Sequence, residues 1–188
     1  MKDEQARLID DCIAGDEAAI AQLIARYQVD VFRLTLSILN DPGDANEAAQ
    51  DTFITALRAL KSYRETSTFR AWLYKIALNN SRSRLRKRSA LNRLQNALTS
   101  IFAVQSQHSP APEDVIIRKE KADDLWRAIE RLGEKHRIPI VLRYYHDMSV
   151  AEIAEIMNIK EGTVHSRLSI ARERLRAHLI NLQEVAGE

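Results

Sequence analysis

The chain carries a single cysteine, Cys12, so it cannot form an internal disulfide, and no cysteine–histidine spacing suited to a metal is present. Cysteine use of this kind fits a reducing, intracellular setting. Glycine and proline are scarce, with five and four residues, which leaves room for few loops and excludes a glycine-rich phosphate cradle. No apolar run approaches the roughly 18–20 residues that a bilayer-spanning helix needs. The opening "MKDEQARLIDD" is polar and acidic, unlike a secretory leader. A cytoplasmic location is therefore expected. Paired-carboxylate signatures are missing too, and Ser81, Ser83 and Ser166 show no His–Asp arrangement that would make a nucleophile. Neither an enzyme nor a cofactor is expected.

What is present is helical. Of the 188 residues 45% are hydrophobic and 29% charged, a globular composition large enough for one medium domain or two small ones. The net charge of +2 conceals a polarity: residues 1–60 hold five Lys/Arg against eleven Asp/Glu, and the remainder holds 23 against 15. Two partners of different character are implied, one of them a polyanion.

Apolar residues at spacings of three and four (Ile20, Leu23, Ile24, Tyr27, Val31, Leu34, Ile38) predict a long first helix, broken at "NDPGD". Asp44 is read as the N-cap of the next helix, with Glu47 at the capping-box position. That helix would bury Ala45, Ala49, Phe53, Ala56, Leu57 and Leu60 and expose Asn46, Gln50, Asp51, Thr55 and Arg58. After the polar "KSYRETST", Ser67 or Thr68 would cap a helix starting at Phe69. This third helix buries Phe69, Trp72, Leu73, Ile76 and Ala77, then turns basic. Lys75, Asn79, Arg82 and Arg86 form one stripe, and residues 69–88 contain seven Lys/Arg and no Asp/Glu. The bundle is expected to end near Arg88, with residues 89–120 as a linker around "VQSQHSPAPED".

The tightest pattern is "SVAEIAEIMNIKEGTVHSRLSIARERLR". Ser149 and Glu152 form a capping box, Ile153 and Met157 point inward, and Asn158 sits at a turn where its tolerance for left-handed backbone is useful. With Val164, Leu168, Ala171 and Leu175 buried, the outer face carries His165, Ser166, Ser169, Arg172 and Arg176. Such a face suits a helix in the major groove with arginines on phosphates. His165 has no second metal ligand at a suitable spacing. The remaining histidines read as surface or packing residues.

Taken together, these segments resemble bacterial sigma factors of the extracytoplasmic-function group of the sigma-70 family. "DANEAAQDTFITAL" resembles the polymerase-binding segment of sigma domain 2. "SYRETSTFRAWLYKIALNNSRSRLRKR" resembles the promoter-melting segment that follows, and residues 132–176 are similar to sigma domain 4. The resemblance implies an all-α fold of two small helical domains joined by a linker, with residues 1–88 as domain 2 and 121–188 as domain 4. It implies a polymerase subunit without catalysis of its own that binds core RNA polymerase through the β′ coiled coil and the β flap. Promoter DNA would be read at the −10 and −35 elements, and an anti-sigma factor is an expected further partner. Asp44, Asn46, Glu47, Gln50 and Asp51 fall in the polymerase-binding segment, with Phe53 left to packing. Tyr63, Arg64, Ser67, Lys75, Asn79, Asn80, Arg82, Ser83 and Arg86 fall to the −10 element, and Thr163, His165, Ser166, Arg167, Ser169, Arg172 and Arg176 to the −35 element. Two other readings of the same residues stand beside it: a conventional helix-turn-helix regulator that acts as a dimer on palindromic DNA, and a helical adaptor for acidic proteins.

Overall fold

The structure, a computed structural model, describes residues 2–64, 68–102 and 120–185, with side-chain detail over residues 4–64, 68–91 and 126–178. Among the described residues every regular element is a helix. The first domain is built from α1 (Lys2–Ala14), α2 (Glu17–Leu39), α3 (Pro42–Ala59) and α4 (Phe69–Phe102), with a short 3₁₀ turn at Leu60–Ser62. The second comprises α5 (Glu120–Arg131), α6 (Glu134–Ile140), a π turn at Val141–Tyr145, α7 (Val150–Met157) and α8 (Glu161–Val185).

The stripe predicted on α2 packs inward, with Leu23, Val31, Leu34 and Ile38 at most 1% exposed. The helix begins where Asp16 accepts hydrogen bonds from the amides of Ala18 and Ala19. It ends at Asn40, whose left-handed backbone (φ 52°) stops the helix. Helix α1, which the periodicity had not suggested, lays Leu8, Ile9 and Cys12 against this bundle. Gln5 also accepts from Arg26 (2.9 Å) and Tyr27 (3.2 Å).

Helix α3 starts earlier than expected. Its N-cap is Asp41, which accepts from the Asp44 amide at 2.7 Å, and Pro42 follows directly in the first turn. Proline lacks the amide that would be orphaned there, and its fixed φ suits the first helical position, so "DP" outcompetes Asp44 as the start. Asp44 lies instead inside the first turn, with its carboxylate free to reach Arg88. Asp41→Ala is expected to destabilise the chain by about 1 kcal/mol, read as a lower urea midpoint with an unchanged slope.

Small residues let α3 approach α2 closely: Ala45 and Ala48 are fully buried, and Thr35 donates from its hydroxyl to the Ala45 carbonyl at 2.9 Å. Phe53 is buried, as its place on the apolar face required. Thr68 receives the Ala71 amide at 3.2 Å and so caps α4, while Ser67 lies outside the described residues. Beyond Arg88, where the sequence could also be helical, α4 continues to Phe102. The extension "SALNRLQNALTSIF" contains neither Gly nor Pro, so nothing in it breaks a helix.

In the second domain the helix-turn-helix forms as read. Ser149 accepts from the Glu152 amide (3.2 Å) while Glu152 accepts from the Ser149 amide (2.9 Å). Asn158 adopts φ 54°, and the Ile159 amide closes back on the Ala154 carbonyl at 3.0 Å. Ile153, Met157, Val164, Leu168 and Ala171 are buried together.

Candidate nucleic-acid interface

Helix α4 carries two cationic faces with different fates. Lys75, Asn79, Arg82 and Arg86 share one side, and Asn79 and Arg86 are exposed there. Arg84 and Arg88 lie roughly opposite, since each residue advances about 100° around a helix. Facing α3, Arg84 spans two carboxylates at 2.6 Å each, Glu47 and Asp51, and Arg88 reaches Asp44 at 3.3 Å. The three acids are thus shared between α3 and α4. Pairs this exposed add little stability, but they hold the charges of the two helices in register. The α4 cations are therefore not one uniform basic rod. Among the described residues Lys75, Arg82 and Arg86 make no ion pair with α3.

The other residues of this edge are spread around it. Asn80 turns toward α3, donating its amide to Thr52 Oγ1 at 3.4 Å. Ser83 is half-buried beside the stripe. Tyr63 is half-buried against Phe69 and Trp72, with ring centroids 5.5 and 5.3 Å apart. Tyr27 extends the cluster to 5.4 Å from Phe69, so the loop ahead of α4 springs from a packed aromatic base. Arg64 is exposed at its mouth.

The exposed side of α3 borders a groove that the sequence reading had not found. Asn46, Gln50, Ala49 and Phe53 line it from α3, and Ile24, Gln28, Val29 and Phe32 line it from α2, around a volume of about 500 Å³. Val29 is 52% exposed although apolar. Val29 and Phe32 lie off the buried stripe of α2, and apolar residues off the stripe were the available signal.

On α8, Thr163, His165, Ser166, Ser169, Arg172 and Arg176 are all exposed along the outer face. Arg167 is half-buried, and its carbonyl receives His136 Nδ1 from α6 at 3.4 Å. The buried His136 ring is pushed toward its neutral form by desolvation, which suits a packing role. Among the described residues no cluster of His, Cys, Asp and Glu could hold a metal ion. No helix there is long and apolar enough to cross a membrane.

The two domains touch. Tyr74 of α4 and His146 after the π turn are 0% and 5% exposed, and Tyr74 Oη meets His146 Nδ1 at 3.1 Å. Arg137 of α6 donates to the Ile38 carbonyl at 2.7 Å, satisfying one of the acceptors left open at the end of α2. Arg82 pairs with Glu134 at 2.7 Å, and Thr68 donates to Glu152 at 3.2 Å. His146, which sequence reading left among surface or packing residues, is thus a packing residue between domains.

Comparison with known proteins agrees with this division. The sigma-70 region 2 family model matches residues 23–91, and the sigma-70 region 4 model matches residues 122–175. The chain is 34% identical to the ECF RNA polymerase sigma factor SigW of Bacillus subtilis, over 89% of this chain and 92% of SigW. It is 33% identical to the ECF RNA polymerase sigma-E factor of Escherichia coli, over 89% of this chain and 90% of that protein. Among solved structures, CnrH in complex with the cytosolic domain of CnrY superposes with a TM-score of 0.66 at 27% identity, covering 93% of this chain and 96% of CnrH. The sigma factor RpoE of Bartonella quintana, in complex with the anti-sigma factor NepR, gives 0.65 at 25% identity, covering 85% of this chain and 95% of that one.

Proposed function

The chain belongs to the extracytoplasmic-function group of sigma-70 factors, and from that premise we propose how its surfaces divide the work of transcription initiation. It associates with core RNA polymerase and directs initiation at specific promoters, acting in the cytoplasm as a dissociable subunit with no catalysis of its own. The first domain, residues 1–88, takes polymerase and the −10 element. Residues 89–120 connect it to the second domain, residues 121–188, which takes the −35 element. An anti-sigma factor is a further partner, of the kind seen with the Bartonella relative.

Core polymerase docks on α3 through Asn46, Gln50 and Asp51, with Asp44 and Glu47 beside them. The groove at Val29 and Phe32 widens that surface with the apolar contact that interfaces place at their centre. Promoter melting falls to the α4 edge: Lys75, Asn79, Arg82 and Arg86 meet the phosphates, while Tyr63, Arg64 and Ser67 border the loop for an unstacked base. Ser83 flanks that edge, and Asn80 supports it from the α3 side. Thr163, His165, Ser166 and Ser169 face −35 base edges, with Arg167, Arg172 and Arg176 on the backbone.

The observation that carries this reading is the joint presence of an acid-lined α3, a one-sided basic stripe on α4 and an exposed helix-turn-helix in one chain. A conventional regulator needs only the last of these, and an adaptor needs none of the three in this order. Reconstitution with bacterial core polymerase should yield promoter-dependent runoff transcripts, and absence of stable association with core would refute the reading. Val29→Asp should weaken core association by about tenfold, the effect of losing one well-packed apolar contact, without lowering the melting temperature.

A further inference from the structure

Helix α8 hides one apolar stripe and shows one apolar residue. Val164, Leu168 and Ala171 are at most 5% exposed, and Leu175 packs against the same core. Ile170 is 36% exposed and belongs neither to that core nor to the apolar residues packed against it. Among the described residues no other large apolar side chain of this helix is exposed. With each residue advancing about 100°, Ile170 points roughly 130° away from the middle of the buried stripe. It stands one turn beyond Ser166, on the face assigned to −35 bases, with Arg167 and Arg174 bordering that edge. Isolated exposed apolar side chains are common on surfaces, so the company that Ile170 keeps decides its role.

The rest of that face is short. Gly162, Thr163, Ser166 and Ser169 are exposed there, and none extends beyond a single hydroxyl or methyl. Short side chains let a helix backbone come close to the floor of the major groove, which brings the longer Ile170 onto the base edges. The hydroxyls discriminate poorly, because Ser and Thr pair with donors and acceptors alike. Arginines on phosphates position the helix but carry no sequence information. Ile170 is different in kind. The major-groove edges of guanine, cytosine and adenine present hydrogen-bonding groups and no methyl, and an apolar side chain there strips water from those groups without replacing the bond. Thymine alone adds a methyl group, and packing it on Ile170 removes apolar surface from water on both sides.

We propose that Ile170 is a specificity-determining residue of α8 that selects thymine, through its C5 methyl group, at one base pair of the −35 element. This role rests on the reading of α8 as the −35 helix and names the base chemistry that the helix takes at that pair. No hydrogen bond enters the contact, so its signature is dependence on the methyl alone.

The test uses the full chain assembled with bacterial core polymerase and a labelled promoter duplex, with binding followed by fluorescence anisotropy. Selection from duplexes randomised over the −35 element should return an A·T pair at one position for the parent chain. Ile170→Ser should lose that preference and keep the others. Each thymine of the selected element, on either strand, is then replaced singly by deoxyuridine, which keeps the pairing and removes only the methyl. We expect one replacement to weaken binding about fourfold, the effect of roughly one buried methyl-sized group. Ile170→Ser should bind the thymine duplex about as weakly as the parent binds the deoxyuridine one, with no further loss on replacement. Ile170→Val, which keeps an apolar contact, should retain part of the penalty, and all three proteins should share one melting temperature. A parent chain indifferent to every methyl, or an undiminished penalty in Ile170→Ser, would overturn the role of Ile170. Arg172→Ala and Arg176→Ala separate that result from failure of the −35 reading. If both still weaken binding, the −35 helix stands without a methyl reader. If neither does, the reading of α8 fails, and Ile170 loses its role with it.

Discussion

Charge reversal at Arg82 and Arg86 together is expected to abolish promoter opening while leaving folding and association with core polymerase intact. The two residues sit one helical turn apart on the face of α4 that points away from α3. Arg86 is exposed, and the Arg82 side chain is 26% exposed. Neither belongs to the apolar core, and the salt bridges that tie α4 to α3 are made by Arg84 and Arg88 on the other side. The bundle and the acidic face of α3 should therefore be unaffected. Each charge-assisted hydrogen bond to a phosphate contributes roughly 1.5–3 kcal/mol, so losing two reduces open-complex formation on the order of a hundredfold or more, before repulsion is counted. Arg82→Glu also places a carboxylate against Glu134, which favours parting of the domains. The double variant should thus be more open than the parent and still fail to melt DNA. That combination separates loss of the DNA edge from a locked-closed state. Native gels would follow core binding, circular dichroism the thermal transition, and 2-aminopurine fluorescence at the −10 element the opening. Normal opening in this variant would remove the α4 stripe from the mechanism.

Arg84 supplies the contrast that makes this prediction specific, and it shows where the sequence was informative. The stripe could be read because helical period alone places residues 75, 79, 82 and 86 on one face. The fate of the remaining cations could not, because it depends on which helix packs opposite, and pairing between Arg84 and Asp51 spans 33 residues. The helix-turn-helix was legible almost in full, since its capping box, its left-handed Asn158 and its buried Val164 and Leu168 are all local signals. Helix α1 was missed because its apolar residues, Leu8, Ile9 and Cys12, are few among charges and find their partners only in the bundle. The start of α3 was displaced by a competition between two aspartates that proline decided. The contact between domains was beyond reach altogether. It joins residues that each look ordinary in sequence, a tyrosine on a core helix and a histidine after "RYY", and only their burial against each other gives them meaning.

That buried pair leads to the second large effect: lowering the pH should part the domains. His146 is 5% exposed, and its Nε2 has no hydrogen-bond partner among the described residues. Desolvation, the largest cause, lowers its pKa from the ordinary 6.5 to about 4. Asp30 pulls the value upward, and Arg70 and Arg33 push it further down. Tyr74 and Tyr145 pack on the ring, and burial pushes the Tyr74 phenol up, so Tyr74 stays neutral in this range. The sign follows from which form each state accepts. Once the domains part, the ring regains water and an ordinary pKa, so the open state takes up a proton that the closed state refuses. Closure is at full strength above 6.5 and loses about 1.4 kcal/mol for each pH unit below it, until the closed state itself protonates near 4. The total of about 3 kcal/mol shifts the equilibrium between closed and open forms more than a hundredfold. Desolvation raises the Glu152 carboxyl, but hydrogen bonds from Ser149 and Thr68 outweigh it and hold the group below the ordinary 4.5, and of these only the Thr68 bond is lost when the domains part. Its contribution is confined to the acid end of the window. His136 is also held neutral by burial, but within the second domain, so His136 protonation would loosen that domain rather than part the two. Energy transfer between dyes on Arg58→Cys and Arg174→Cys, in a Cys12→Ala background, should therefore fall between pH 7 and 5 in the parent chain. In His146→Gln, which keeps an acceptor for Tyr74 but cannot charge, it should stay level over that range. An equal fall in both proteins would locate the acid sensitivity elsewhere and remove His146 from the domain contact as a titrating group.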